Sequence, residues 1–194
     1  MASLYILLVL PIFAALRVEA TGKCNPDIIR KIQTTNNCPW GVLAKLNKMG
    51  VFTQAVLPVA EVPDVVKCWS GSVDFRFGPF SRAHANIYFK DGSVKRVGYN
   101  QMELFCGQVN ESFEGANYKI YFLNIDDTSA CYYRCQDDDN ADLCNTAGED
   151  FGGCVIPVSK VGDPAAQAAI ATCKQSLADV GVTTQLQDLQ LCTK

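Results

Sequence analysis

Three groups of residues in this 194-residue chain could do chemistry: one histidine, one acidic run and ten cysteines. A hydrolase needs a nucleophile activated by a base, and near neutral pH that base is most often histidine. His84 is the only histidine, and no acid partner for it stands out in the sequence. It reads instead as a polar contact to a ligand or as an ordinary surface residue. The acidic run Gln136-Asp137-Asp138-Asp139-Asn140-Ala141-Asp142 invites a calcium reading. An EF-hand-type loop needs an oxygen ligand at its fifth place, glycine at its sixth and glutamate at its twelfth. Counted from Asp137, those places hold Ala141, Asp142 and Gly148, so the run reads as a solvated loop. Cys131, Cys135, Cys144 and Cys154 fall close together, but their spacing fits no zinc knuckle. No catalytic constellation and no metal site emerges, and the chain is expected not to be an enzyme.

Ten cysteines read better as five disulfides formed in an oxidising compartment. The amino terminus agrees. Residues 4–16 are almost wholly apolar, and Val18-Glu19-Ala20 closes them with small residues suited to cleavage. Residues 1–20 are therefore expected to be a signal peptide, and Thr21 to Lys194 a single secreted, extracellular domain. The apolar stretch is too short to span a bilayer. A net charge of −3 without a basic patch argues against nucleic acid or an anionic membrane as partner. Asn110-Glu111-Ser112 is the one glycosylation sequon, expected on a surface turn.

The elements that must position any site are mostly strands. Residues 24–49 carry Ile28, Ile29, Ile32, Val42, Leu43, Leu46 and Met49 at helix-like spacing. From residue 50 the texture is β: 50–58 is rich in β-branched residues, and 69–77 alternates Val73, Phe75 and Phe77 against Asp74 and Arg76. Ala83, Ala85, Ile87 and Phe89 alternate with Arg82, His84, Asn86 and Tyr88, and Asp91-Gly92 supplies a tight hairpin. Further strands are expected over 94–99, 102–109, 118–123, 129–135 and 151–158. Asp163-Pro164 opens a helix that Gly181 stops, and an extended tail ends at Cys192. About eight consecutive antiparallel strands and one late helix predict a mostly β, closed up-and-down barrel. Closure removes strand edges and leaves room inside for one small ligand.

That order resembles the lipocalin family, and short motifs sharpen the likeness. Ala130-Cys131-Tyr132-Tyr133-Arg134-Cys135 looks like the seventh-strand signature of the crustacyanin subunits, and Val66-Lys67-Cys68 and Asp91 to Gly98 resemble their second strand and third hairpin. Gly22-Lys23-Cys24 is similar to the start of mature apolipoprotein D-like lipocalins. Two departures stand out. Gly50-Val51-Phe52 replaces the family's Gly-x-Trp, and Lys160 is the nearest basic residue to its floor-covering arginine. Asn124-Ile125-Asp126 matches the family's Thr-Asp-Tyr turn only loosely.

The resemblance implies an eight-stranded barrel carrying a small hydrophobic ligand without chemistry on it. A carotenoid is the first expectation, and a bilin, retinoid or fatty acid makes similar demands. No cofactor is required, and a homo- or hetero-oligomer is implied. It also implies the disulfides Cys24–Cys135, Cys68–Cys192 and Cys131–Cys173, leaving Cys38, Cys106, Cys144 and Cys154 with three possible pairings. The aromatic density from Trp69 to Tyr133 suggests a pocket wall of Phe75, Phe77, Ile87, Phe89, Tyr118, Ile120 and Phe122, with His84, Asn86 and Tyr121 as polar contacts. Register decides which side of each strand faces in, and a one-residue slip reverses every assignment. A reading of a different class is a secreted protein-interaction or inhibitor module, its interior merely packed and its cysteine-rich loop presenting a binding surface.

Overall fold

A computed structural model describes residues 24–35, 38–59, 64–113, 116–136 and 151–193. The expected signal peptide, the acidic run beyond Gln136 and Cys144 lie outside the described residues. Two helices lead the chain: α1 (Pro26–Thr35) and α2 (Val42–Met49). The Asn25 side-chain oxygen accepts the N–H groups of Asp27 and Ile28 and caps α1, whose Ile28 and Ile32 are buried.

The strands β1 (Phe52–Pro58), β2 (Val66–Phe77), β3 (Phe80–Phe89), β4 (Val94–Glu103), β5 (Gln108–Phe113), β6 (Ala116–Ile125), β7 (Ala130–Gln136) and β8 (Phe151–Pro157) pair antiparallel in sequence order. β1 pairs with both β8 and β2, which closes the barrel. Helix α3 (Pro164–Val180) follows, opened by Asp163, whose carboxylate accepts the Ala165 N–H at 2.8 Å, and ended by Gly181 at φ 101°. Strand β9 (Leu186–Asp188) then lies against the outer end of β1.

The expected strand over 102–109 is corrected. β4 runs on to Glu103, and the chain reverses through Cys106 (φ 63°) and Gly107 (φ 71°) before β5 starts. Left-handed backbone at two successive residues cannot continue a pleat. The turn also answers why Gly107 is glycine: a Cβ there would stand 2.6 Å from the Pro39 ring. The expected surface turn at Asn110 is corrected as well. Asn110 sits inside β5, paired with Met102 on one side and Lys119 on the other.

Among the described residues, four disulfides tie the outside of the barrel: Cys24–Cys135, Cys38–Cys106, Cys68–Cys192 and Cys131–Cys173. Cys154 is buried without a disulfide partner among the described residues. Two apolar cores result. The outer one packs α1 and α3 onto β6, β7 and β8 through Ile28, Tyr121, Leu123, Tyr133, Ile156 and Leu177. The inner one seats Val42, Leu43 and Leu46 of α2 in the barrel end against Val73, Phe122 and Val155. Helix α2 is therefore the floor. It is held there by Glu103, whose carboxylate oxygens accept the N–H groups of Val42 and Leu43, and by Asn47, which donates to the Val73 carbonyl at 2.6 Å.

Candidate functional site

Above that floor the barrel holds a partly open cavity of about 150 Å³. Pleat alternation builds its wall, because on each strand every second residue turns inward. On β1 the inward residues Phe52 and Gln54 are even, whereas odd residues face in on the next three strands: Trp69, Gly71 and Val73 on β2, Ala83 and Ala85 on β3, Tyr99 and Gln101 on β4. On β6 and β7 the inward row is even: Ile120, Phe122, Tyr132 and Arg134. Small residues make the space. A Cβ on Gly71 would meet the Phe52 ring at 2.6 Å, and one on Gly153 would meet the Tyr132 ring at 2.4 Å.

The lower part is apolar, with Leu46, Phe52, Val73, Ile120, Phe122 and Val155 around it. One step further from the floor, the β4–β7 side carries a buried charge pair. Arg134 donates from Nε and Nη2 to Glu111 Oε1 at 3.2 and 2.9 Å. Gln101 donates to Glu111 Oε2 at 2.8 Å, and Ser81 donates to Gln101 Oε1 at 3.2 Å. The guanidinium carbon lies 3.7 Å from the centre of the Tyr118 ring, a stacked cation. Glu111 is only 7% exposed and Arg134 22%. Burial alone would lower the arginine's pKa, but the Glu111 charge and hydrogen bonds outweigh it and hold the group above its ordinary value. The guanidinium thus stays charged, held against the Glu111 carboxylate.

A second polar contact is fully spent. Tyr132 donates to Gln54 Oε1 at 3.1 Å, and the Gln54 amide donates to the carbonyls of Val56 and Cys154. Burial raises the Tyr132 phenol well above its usual range, so it stays a neutral donor.

The residues expected in the pocket divide. Ile120 and Phe122 line it, and Tyr118 stands beside it under Arg134. His84 borders the cavity, but its imidazole reaches Asp74 of β2, with Nε2 3.2 Å from the carboxylate, and both side chains are substantially exposed. Asn86, Ile87 and Phe89 are half-buried and outside the lining; Asn86 and Ile87 pair with the lining residues Ser70 and Trp69, and Phe89 with Val66. Phe75 and Phe77 are placed elsewhere than expected. β2 overruns the floor, and its last aromatics emerge into solvent at the hairpin tip, 41% and 86% exposed. Tyr121 turns to the outer core against Tyr133. Lys160 does not cover Phe52; its ammonium faces Asp163 at 3.5 Å.

Gln101, Glu111 and Arg134 are not legible as pocket residues in the sequence, because polar and charged residues on strands ordinarily belong to the wet side. A usable signal exists in β7. Cys131 bonds to Cys173 of α3 and Cys135 to Cys24, so the odd residues face out and Arg134 must face in.

No family model matches the chain, and no curated protein matches it either. Solved structures do. Lobster apocrustacyanin A1 superposes with a TM-score of 0.60 at 18% identity, covering 89% of this chain and 91% of that one. Insecticyanin from the tobacco hornworm Manduca sexta gives 0.60 at 11% identity, covering 89% and 85%. Cholesterol-bound japanin from Rhipicephalus appendiculatus gives 0.54 at 6% identity, covering 76% and 96%. At such identities the likeness shows a shared fold.

Proposed function

We propose that this chain, whose fold is that of the lipocalins, is a secreted carrier that shelters a small hydrophobic molecule in its barrel. The observation that carries the reading is the cavity above the α2 floor, apolar below and polar at one side. Well-packed interiors leave few voids larger than a water molecule, so a space of about 150 Å³ is an exception that a ligand explains. Shielding apolar surface there yields roughly 25 cal/mol per Å², offset in part by the ligand's lost freedom. The apolar amino-terminal residues and the four disulfides support an oxidising, extracellular destination. The neighbours' cargo supports the class of ligand: japanin is described with cholesterol. A carotenoid or retinoid belongs to the same class. A space of about 150 Å³ takes a ring the size of benzene, so a longer ligand leaves part of its length outside.

Trp69 on the cavity wall gives the assay. Titrating the purified protein with an apolar fluorophore should change tryptophan emission saturably, and Ala83→Trp, which fills the cavity from β3, should abolish the change. Equal binding by the plugged variant would end the carrier reading.

A second reading, a protein-interaction module, is favoured by a different observation. Trp40, Phe77, Phe80 and Phe105 are all largely exposed at the floor end, where Trp40 and Phe105 stack edge to face at 5.1 Å. Aromatics concentrated this way suit a docking surface.

A further inference from the structure

We infer that the cavity selects a compact apolar ligand ending in a neutral oxygen acceptor, a ketone, aldehyde or alcohol, which Arg134 grips, and that it discriminates against carboxylates. The inference rests on the carrier reading and names the chemistry of its cargo.

Glu111 accepts two bonds from Arg134 on Oε1 and one from Gln101 on Oε2, so its charge is already answered. Gln101 in turn accepts from Ser81. Arg134 spends Nε and Nη2 on Glu111 and lays its face on Tyr118, which leaves the two N–H groups of Nη1 without a partner among the described residues. The unspent capacity at this wall is therefore donor capacity.

Charge then decides what can accept from it. Arg134 and Glu111 cancel, and no other charged side chain lines the cavity among the described residues. A neutral carbonyl or hydroxyl oxygen gains a charge-assisted hydrogen bond without disturbing that balance. A carboxylate would leave the site with one uncompensated negative charge beside Glu111, which is costly where the pair is already largely shielded from water. Glu111 thus works as a filter, screening the arginine from anions while holding it in place. Volume sets the scale: about 150 Å³ takes a ring the size of benzene, so a ten-carbon probe seats one end inside and leads the rest toward the mouth.

The test is calorimetric titration of the full-length secreted protein with 2-decanone, 1-decanol, decanoate and naphthalene at neutral pH. The ketone and alcohol should bind at least about tenfold more tightly than decanoate. Glu111→Gln unmasks the arginine and should shift the decanoate-to-ketone affinity ratio by about tenfold or more in favour of decanoate. If that variant loses its cooperative thermal transition, Glu111→Leu/Arg134→Met replaces the pair with apolar groups, and ketone affinity should fall about tenfold relative to naphthalene. Decanoate binding the native protein as tightly as the ketone, or ratios unmoved by either variant, would overturn the inference. Failure of all four probes, naphthalene included, would instead strike at the carrier reading itself.

Discussion

The two faces of β6 and β7 share a backbone and differ in almost everything else. Outward, Tyr121, Leu123, Cys131, Tyr133 and Cys135 meet α1 and α3 in a sealed core, pinned by two disulfides. Inward, Ile120, Phe122, Tyr132 and Arg134 border open space, and one of them is a buried cation. The difference teaches how the barrel divides its labour. Stability is concentrated between wall and helices, so the interior can tolerate a void and a charge pair.

Substitutions on the two faces should therefore behave differently. Leu177 of α3 is fully buried and packs directly on Gly152, where even a Cβ would come within 2.8 Å. Leu177→Ala should cost about 4 kcal/mol in denaturant unfolding, toward the upper part of the range for core leucines. Ile120→Ala, on the cavity side, should cost about 2 kcal/mol, because its side chain already faces space on one side. Equal losses would erase the distinction.

Within the inner face the charge pair sets the next effect. Glu111→Ala leaves Arg134 unpaired and should destabilise by about 3 kcal/mol, the low end for a broken buried pair because part of Arg134 reaches solvent. Converting both to apolar residues should restore most of that stability in the same measurement. The smallest effect concerns the outer face. Burial pushes the Cys154 thiol up to about 12, so at pH 8 the folded protein holds it protonated as well as enclosed. Iodoacetamide should leave Cys154 unlabelled in native protein and modify it once denaturant opens the outer core.

Much of the barrel was legible because local chemistry agrees with it. The Asp91-Gly92 hairpin appears as a turn with Gly92 at φ 88°, and the Asp163-Pro164 start and Gly181 stop of α3 stand where the capping residues put them. Asp126 closes the β6–β7 hairpin by accepting the N–H groups of Thr128 and Ser129, doing the work of the loosely matched family turn. The site was less legible because it depends on register. Irregularities between Gln54 and Val56 and between Phe122 and Asn124 shift the alternation, and no local residue type announces them. Phe75 and Phe77 keep the right period but run past the end of the barrel, which period alone cannot reveal. Glu111 and Arg134 were hidden by their own charge, since only a partner two strands away on the same wall makes burying either one tolerable.

A crystal structure of the protein with a bromine-tagged ten-carbon ketone tests the central claim most directly. The account places the anomalous bromine signal in the lower cavity, among Leu46, Phe122 and Val155, with the carbonyl oxygen on Arg134. An empty barrel with the bromine on the exposed aromatics around Trp40 and Phe105 would contradict it.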